Sequence, residues 1–138
     1  MSRLEDSTGW AWAGVALLCA CAVLAALLAL FLVPLYAGSV IVPVAVVVAL
    51  ASNVALPRLA RALVETTVAM VLPFLSWLLV VIVIGVMPRP EGDVVLPGGR
   101  GALQWVSYGV LLGGALAGTL TVALSGARRP ARIDQLSR

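Results

Sequence analysis

The sequence predicts an all-α polytopic membrane protein, with four transmembrane helices in an up-down-up-down bundle and both termini cytoplasmic. Three observations predict it. Of 138 residues, 62% are hydrophobic and 11% charged, whereas a water-soluble domain carries about 25% charged residues. The charges are bunched, with none from Ser7 to Pro57, from Thr66 to Pro88 or from Gly101 to Ala127, and about 20 apolar residues cross a bilayer core of roughly 30 Å. Finally, proline or glycine stands near the ends of the apolar runs, where a helix is expected to stop or turn.

The first span is expected over 10–33, after a short tail at 1–9, and stops near Pro34. Cys19 and Cys21 lie within it, two residues apart and so about 200° apart around a helix, which prevents them from pairing or sharing a metal. They read as small apolar fillers. The run continues past Cys21 to Val33, so the segment reads as a retained helix and not as a cleaved lipoprotein leader. Residues 34–38 then make a turn, the second span covers 39–56, and Pro57 is expected to end it. The third span covers 66–87, before Pro88 and Pro90. A loop at 88–101 leads into the fourth span, 103–125, so the transmembrane domain covers 10–126 and a basic tail covers 127–138.

Orientation follows from arginine, because the chain has no lysine or histidine. With both termini inside, Arg3, Arg58, Arg61, Arg128, Arg129, Arg132 and Arg138 are cytoplasmic, against Arg89 and Arg100 outside. By the positive-inside rule this places the connection between the second and third spans inside, and argues against insertion in both directions. Trp10 and Trp12 then fall at the inner interface, and Tyr36 and Trp105 at the outer one, where amphipathic rings prefer to lie. These flanking charges read as topology signals, and nucleic-acid binding is not expected.

Trp77 stands apart, near the middle of the third span and four residues after Pro73. Its indole N–H needs an acceptor, and a carbonyl released by Pro73, or Ser76, is the expected one. A packed aromatic at a kink competes here with a ligand-contacting residue.

The fourth span carries the clearest pattern. Gly114, Gly118, Thr121 and Ser125 form one narrow face of small residues with Gly109, Gly113 and Ala117 beside it, and Leu112, Leu116, Leu120 and Leu124 lie nearly opposite. Such a groove lets two helix backbones approach while the leucine row meets lipid. Its occupant is expected either within the chain, with the alanine stripe of the first span at Ala22, Ala25, Ala26 and Ala29 as first choice, or on a second membrane protein or another copy.

Polar candidates are few. Arg58, Arg61 and Glu65 share a helical face by their spacing, which predicts an interfacial Arg61–Glu65 ion pair. Asn53 stands where it can hydrogen-bond across the bundle or join Glu65 in a polar site. In the loop, Arg89, Glu91, Asp93 and Arg100 form a motif whose carboxylates either hold a cation or pair with the arginines, and exposed pairs of this kind contribute about 0–1 kcal/mol.

Arg89-Pro90-Glu91-Gly92-Asp93, followed by Ser107-Tyr108-Gly109-Val110-Leu111-Leu112-Gly113-Gly114, resembles the signature of an actinobacterial family of small four-helix integral membrane proteins with no assigned activity. The resemblance covers roughly residues 65–126. It implies a multi-pass protein of the plasma membrane and supplies no catalytic residue.

Catalysis within a bilayer needs a nucleophile with a base, or a metal with its ligands, and the few near-membrane polar groups make neither set. The chain is therefore expected to be no enzyme, with no cofactor and no metal. A non-enzymatic accessory or scaffold protein that associates through small-residue helix faces is the first reading. The alternative is a small oligomeric transporter or channel with Glu65, Asn53 and Trp77 near its path.

Overall fold

A computed structural model describes residues 2–87 and 101–127. It is all-helical apart from one short hairpin, and four of its helical segments are long and apolar enough to cross a membrane: Thr8–Leu32, Val44–Leu63, Thr67–Gly85 and Ala102–Gly126. The outer-loop motif and the basic tail lie outside the described residues.

Helix α1 runs from Ser2 to Leu32. It begins ahead of the expected start at residue 10, because no proline interrupts the polar lead-in and Gly9 alone does not break a helix; the part of it apolar enough to cross a membrane begins at Thr8. After Pro34 the chain forms a hairpin, with β1 at Tyr36–Ala37 antiparallel to β2 at Val40–Ile41 and Tyr36 opposite Ile41. Gly38 makes the turn at φ +66°, a left-handed conformation that a Cβ disfavours. Helix α2 therefore runs from Val44 to Leu63, starting after Pro43 and not at residue 39.

Pro57 does not end α2. It is buried inside the helix, where neighbouring helices make a missing N–H tolerable. The helix closes when Val64 turns extended at φ −133° and ψ 110°. Thr66 then starts α3, Thr67–Val80, its Oγ1 accepting a hydrogen bond from the Ala69 N–H at 3.3 Å. The third span continues as a π-helical segment, Val81–Val86, whose last bond runs from the Met87 N–H to the Ile82 carbonyl at 3.1 Å. The fourth span has three parts: α4 at Ala102–Tyr108, a π-helical segment at Gly109–Gly113 and α5 at Gly114–Ala127. Such π segments are not visible in hydropathy, because they shift the hydrogen-bond register without changing composition.

The core is built mainly of small residues. Ala22, Ala26 and Ala29 of α1 are buried in one cluster with Ala45 and Ala49 of α2, and Trp77, Val81, Val106 and Val110 complete it. A smaller cluster joins Val15, Ala60 and Ala69. Leu30 is buried, but many other leucines, among them Leu17, Leu24, Leu79 and Leu116, and Phe31 are exposed, the reverse of a soluble core and the arrangement expected where lipid is the solvent.

Candidate helix-packing and polar site

The small-residue face of the fourth span is occupied by the chain's own side chains. A Cβ built on Gly109 would lie 2.7 Å from Val46 Cγ2, and one on Gly113 would lie 3.5 Å from Leu50 Cδ2. One on Gly114 would lie 2.3 Å from Trp77 Cη2, and one on Gly118 would lie 2.2 Å from Phe74 Cδ2. Positions rise together along α2 and the fourth span, so these two run parallel; they run oppositely in α3 and α5, so those are antiparallel.

The expected partner, α1, is not what fills the groove. Its alanine stripe is already buried with Ala45 and Ala49, two smooth faces that pack closely, whereas glycines leave depressions that only larger side chains fill. Ala25 is half-buried and stands outside this contact. Thr121 is buried, and its Oγ1 donates to the Ala117 carbonyl at 2.7 Å, so its hydroxyl is satisfied within its own helix. Leu112, Leu116, Leu120 and Leu124 are all exposed on the opposite side.

Trp77 is 1% exposed, and its Nε1 has no hydrogen-bond partner. Neither expected acceptor reaches it. Ser76 turns its hydroxyl back to the Leu72 carbonyl at 2.9 Å, the usual local bond of a serine in a helix. The carbonyl that Pro73 deprives of a donor belongs to Ala69, two helical turns away along the same helix. The indole instead places its six-membered ring against Gly114.

Asn53 is 2% exposed and donates from Nδ2 to the Ala49 carbonyl at 2.9 Å, within its own helix. The expected Arg61–Glu65 ion pair does not form. The break at Val64 ends the helical register that would have stacked the two residues, and Glu65 is exposed. Arg61 Nη1 donates instead to the backbone carbonyl of Ser125 and approaches Met70 Sδ at 3.6 Å. A cation on the last carbonyls of α5 also meets the negative end of its dipole. Arg58 is exposed one turn earlier. The site residues Asn53, Arg58, Arg61 and Glu65 thus do not make one cluster: Asn53 is interior, Arg61 is a helix cap, and Arg58 and Glu65 face outward.

The loop residues Arg89, Glu91, Asp93 and Arg100 lie outside the described residues. Among the described residues no group of three histidines, cysteines or acids is placed to hold a metal ion, and Cys19 and Cys21 are free thiols, half-buried and exposed. The residues that sequence reasoning missed are Val46, Leu50, Phe74 and Met70. Only Phe74 carried a signal, an aromatic one turn from Trp77 on a helix due to meet a glycine face. What the arrangement does chemically is hold helices in register, cap one helix with an arginine and keep an indole N–H in the interior. Comparison with family models, with curated proteins and with solved structures gave no match.

Proposed function

We propose that the chain is a non-enzymatic, multi-pass protein of the plasma membrane that serves as an accessory or scaffold subunit and associates with other membrane helices through small-residue faces. The observation that carries this reading is the contrast between two such faces. The groove of the fourth span is closed by Val46, Leu50, Phe74 and Trp77. On α1, Gly9, Ala13, Ala16 and Ala20 fall on one side of the helix and are exposed, a surface on which a second helix can pack closely. The partner is a membrane protein or another copy, with the bilayer as its medium.

The reading includes an up-down-up-down path with cytoplasmic termini, supported by seven arginines against two and by exposed aromatics at the span ends, Trp10, Tyr36 and Trp105. Kinship with the actinobacterial four-helix family rests on the Arg89–Asp93 and Ser107–Gly114 segments. Purification in mild detergent, with identification of what accompanies the chain, tests the association. Wild type is expected to retain a partner, and Ala16→Leu to lose it while keeping its helical content; equal retention by both refutes the face.

A second reading, a small oligomeric transporter, is favoured by one observation, the buried and unpartnered indole N–H of Trp77. Vesicle flux compared between wild type, Trp77→Phe and Glu65→Gln tests it, and equal flux in all three removes both residues from any path.

A further inference from the structure

We propose that the middle of the bundle is a binding site for one buried water molecule, held between the indole N–H of Trp77 and the two oxygens of Asn53. These residues come from antiparallel helices, α3 and α2, and stand at one depth. Trp77 lies near the middle of the span Thr67–Gly85, and Asn53 near the middle of Val44–Leu63. The fourth span gives the same alignment. Leu50 lies against Gly113 and Trp77 against Gly114, so Trp77 is level with the turn of α2 that runs from Leu50 to Asn53. The Asn53 amide reaches back within that turn to the Ala49 carbonyl, at 2.9 Å, and Ala49 and Trp77 are buried in one cluster.

The polar groups at this depth complement a third molecule better than they complement each other. Trp77 brings a donor: its Nε1 has no hydrogen-bond partner among the described residues. Asn53, also buried, brings acceptors. Its Nδ2 is spent on Ala49, which leaves Oδ1 as the accepting side of the amide. Its backbone carbonyl would ordinarily receive the N–H of residue 57, but that residue is the buried Pro57, which has none. In membrane helices a carbonyl freed in this way is satisfied by a neighbouring group or an ordered water. A bridge between these groups must accept one hydrogen bond and donate two. Water does both, and three bonds is the usual number for a buried water. A cation cannot accept from the indole, and a bare anion cannot donate to the two oxygens. The surrounding side chains, Ala22, Ala26, Ala45, Ala49 and Val81, are apolar and offer nothing to a ligand with more polar groups than water has.

The test is NMR of the contact between water and indole in the full chain, purified into micelles with isotope-labelled tryptophan on a deuterated background. Trp77→Phe identifies the Trp77 signal among the four tryptophans. In wild type, Trp77 Hε1 is expected to show a cross-peak at the water frequency with opposite signs in NOESY and ROESY spectra, the signature of a bound water. Trp10 and Trp105, both exposed, are expected to show equal signs, the signature of exchange with bulk solvent. Asn53→Leu is expected to lose the Trp77 cross-peak. Pro57→Ala returns an N–H to the Asn53 carbonyl and leaves the Asn53 side chain in place, and is expected to weaken the cross-peak at unchanged helical content. Absence of the cross-peak in wild type overturns the proposal, as do equal signs at Trp77. A direct Overhauser contact from Trp77 Hε1 to the Asn53 amide, in place of the water peak, overturns it in favour of a bond between the two side chains. A water peak that survives unchanged in both Asn53→Leu and Pro57→Ala overturns the assignment of the site to Asn53.

Discussion

Replacing Gly114 by alanine adds a single methyl group at the point where the third and fourth spans come closest. That carbon would lie 2.3 Å from Trp77 Cη2, 2.7 Å from Cζ2 and 3.1 Å from Cζ3. The first distance is about 1.1 Å short of the 3.4 Å at which ordinary contact begins, and the indole, 1% exposed, has packed neighbours behind it. Either the ring leaves its rotamer or the two helices separate, and overpacking of this kind costs about 1–3 kcal/mol. Alanine recovers about 1 kcal/mol of helix propensity over glycine, so the expected net loss is about 0–2 kcal/mol, and the loss relative to an unhindered glycine-to-alanine control is about 1–3 kcal/mol. Far-UV circular dichroism during titration of the micelle-bound chain with sodium dodecyl sulfate measures it. Two controls separate packing from propensity. Gly126 has nothing within 4 Å of its Cβ position, and Gly14 meets only the flexible, half-exposed end of Leu63, so alanine at either is expected to be neutral or slightly stabilising. Trp77→Phe should rescue Gly114→Ala by removing the atoms that collide, giving a favourable coupling of about 1 kcal/mol in a double-mutant cycle. If Gly114→Ala proves as stable as Gly126→Ala, the close approach of these helices is wrong.

Trp77→Phe alone should cost less than Trp77→Ala by about 2 kcal/mol in the same titration, since phenylalanine keeps much of the ring volume and removes a buried donor that costs about 1–3 kcal/mol unpaired. Arg61→Gln is expected to fray the last turn of α5, read as faster amide exchange near Ser125 and a loss of about 1 kcal/mol, because the C-terminal carbonyls lose a charged donor. Thr66→Ala should cost about 1 kcal/mol through loss of the α3 cap, whereas Thr66→Ser should cost little. Gly38→Ala should destabilise the hairpin by about 1 kcal/mol through its positive φ, and Gly38→Asn by less; amide exchange at Val42, whose N–H bonds the Leu35 carbonyl at 3.0 Å, reports it.

The number of spans was legible because charge is too costly to bury in lipid, so its absence over 51, 23 and 27 residues has one physical meaning (Ser7–Pro57, Thr66–Pro88, Gly101–Ala127). The leucine row of the fourth span was legible for the same reason, as a periodic face with one solvent. Helix ends at proline were legible in part: α1 ends at Leu32 before Pro34 and the third span at Val86 before Pro88, but α2 does not end at Pro57. Pro43 stands at the start of α2 and Pro57 lies within it; proline reads as a stop only where water or turn chemistry takes over the freed carbonyl, and a packed bundle removes that requirement. The Arg61–Glu65 pair failed because spacing along a sequence becomes spacing in space only while the helix lasts, and it ends at Leu63. The partners of the glycine face were hidden for a different reason: a groove states that something fits, and which helix supplies it depends on contacts far apart in the chain.

Those contacts also explain how a chain with so few polar side chains in its spans holds one arrangement. Lipid gives helices no reason to prefer one neighbour or register over another, since a leucine loses little by facing a tail instead of a side chain. Shape has to supply the preference. Phe74 and Trp77 stand three residues apart on α3, and Gly118 and Gly114 stand four apart on α5, running oppositely, so both rings meet a glycine at once. Sliding α5 by one turn, about 5.4 Å, brings Trp77 to Gly118 and Phe74 to Val122; sliding it the other way brings Phe74 to Gly114 and Trp77 to Val110. Either slide sets a ring against a branched side chain where a glycine had been. On the other flank, Val46 and Leu50 repeat the spacing of Gly109 and Gly113 in the parallel direction, so one displacement of the fourth span disturbs both contacts together. The register is thus fixed from two sides by four glycines, and Arg61 closes the end of the same segment. This also explains why the groove is unavailable to a partner: opening it would release the contacts that keep α5 in place, so the association proposed above has to use the faces that the bundle leaves exposed.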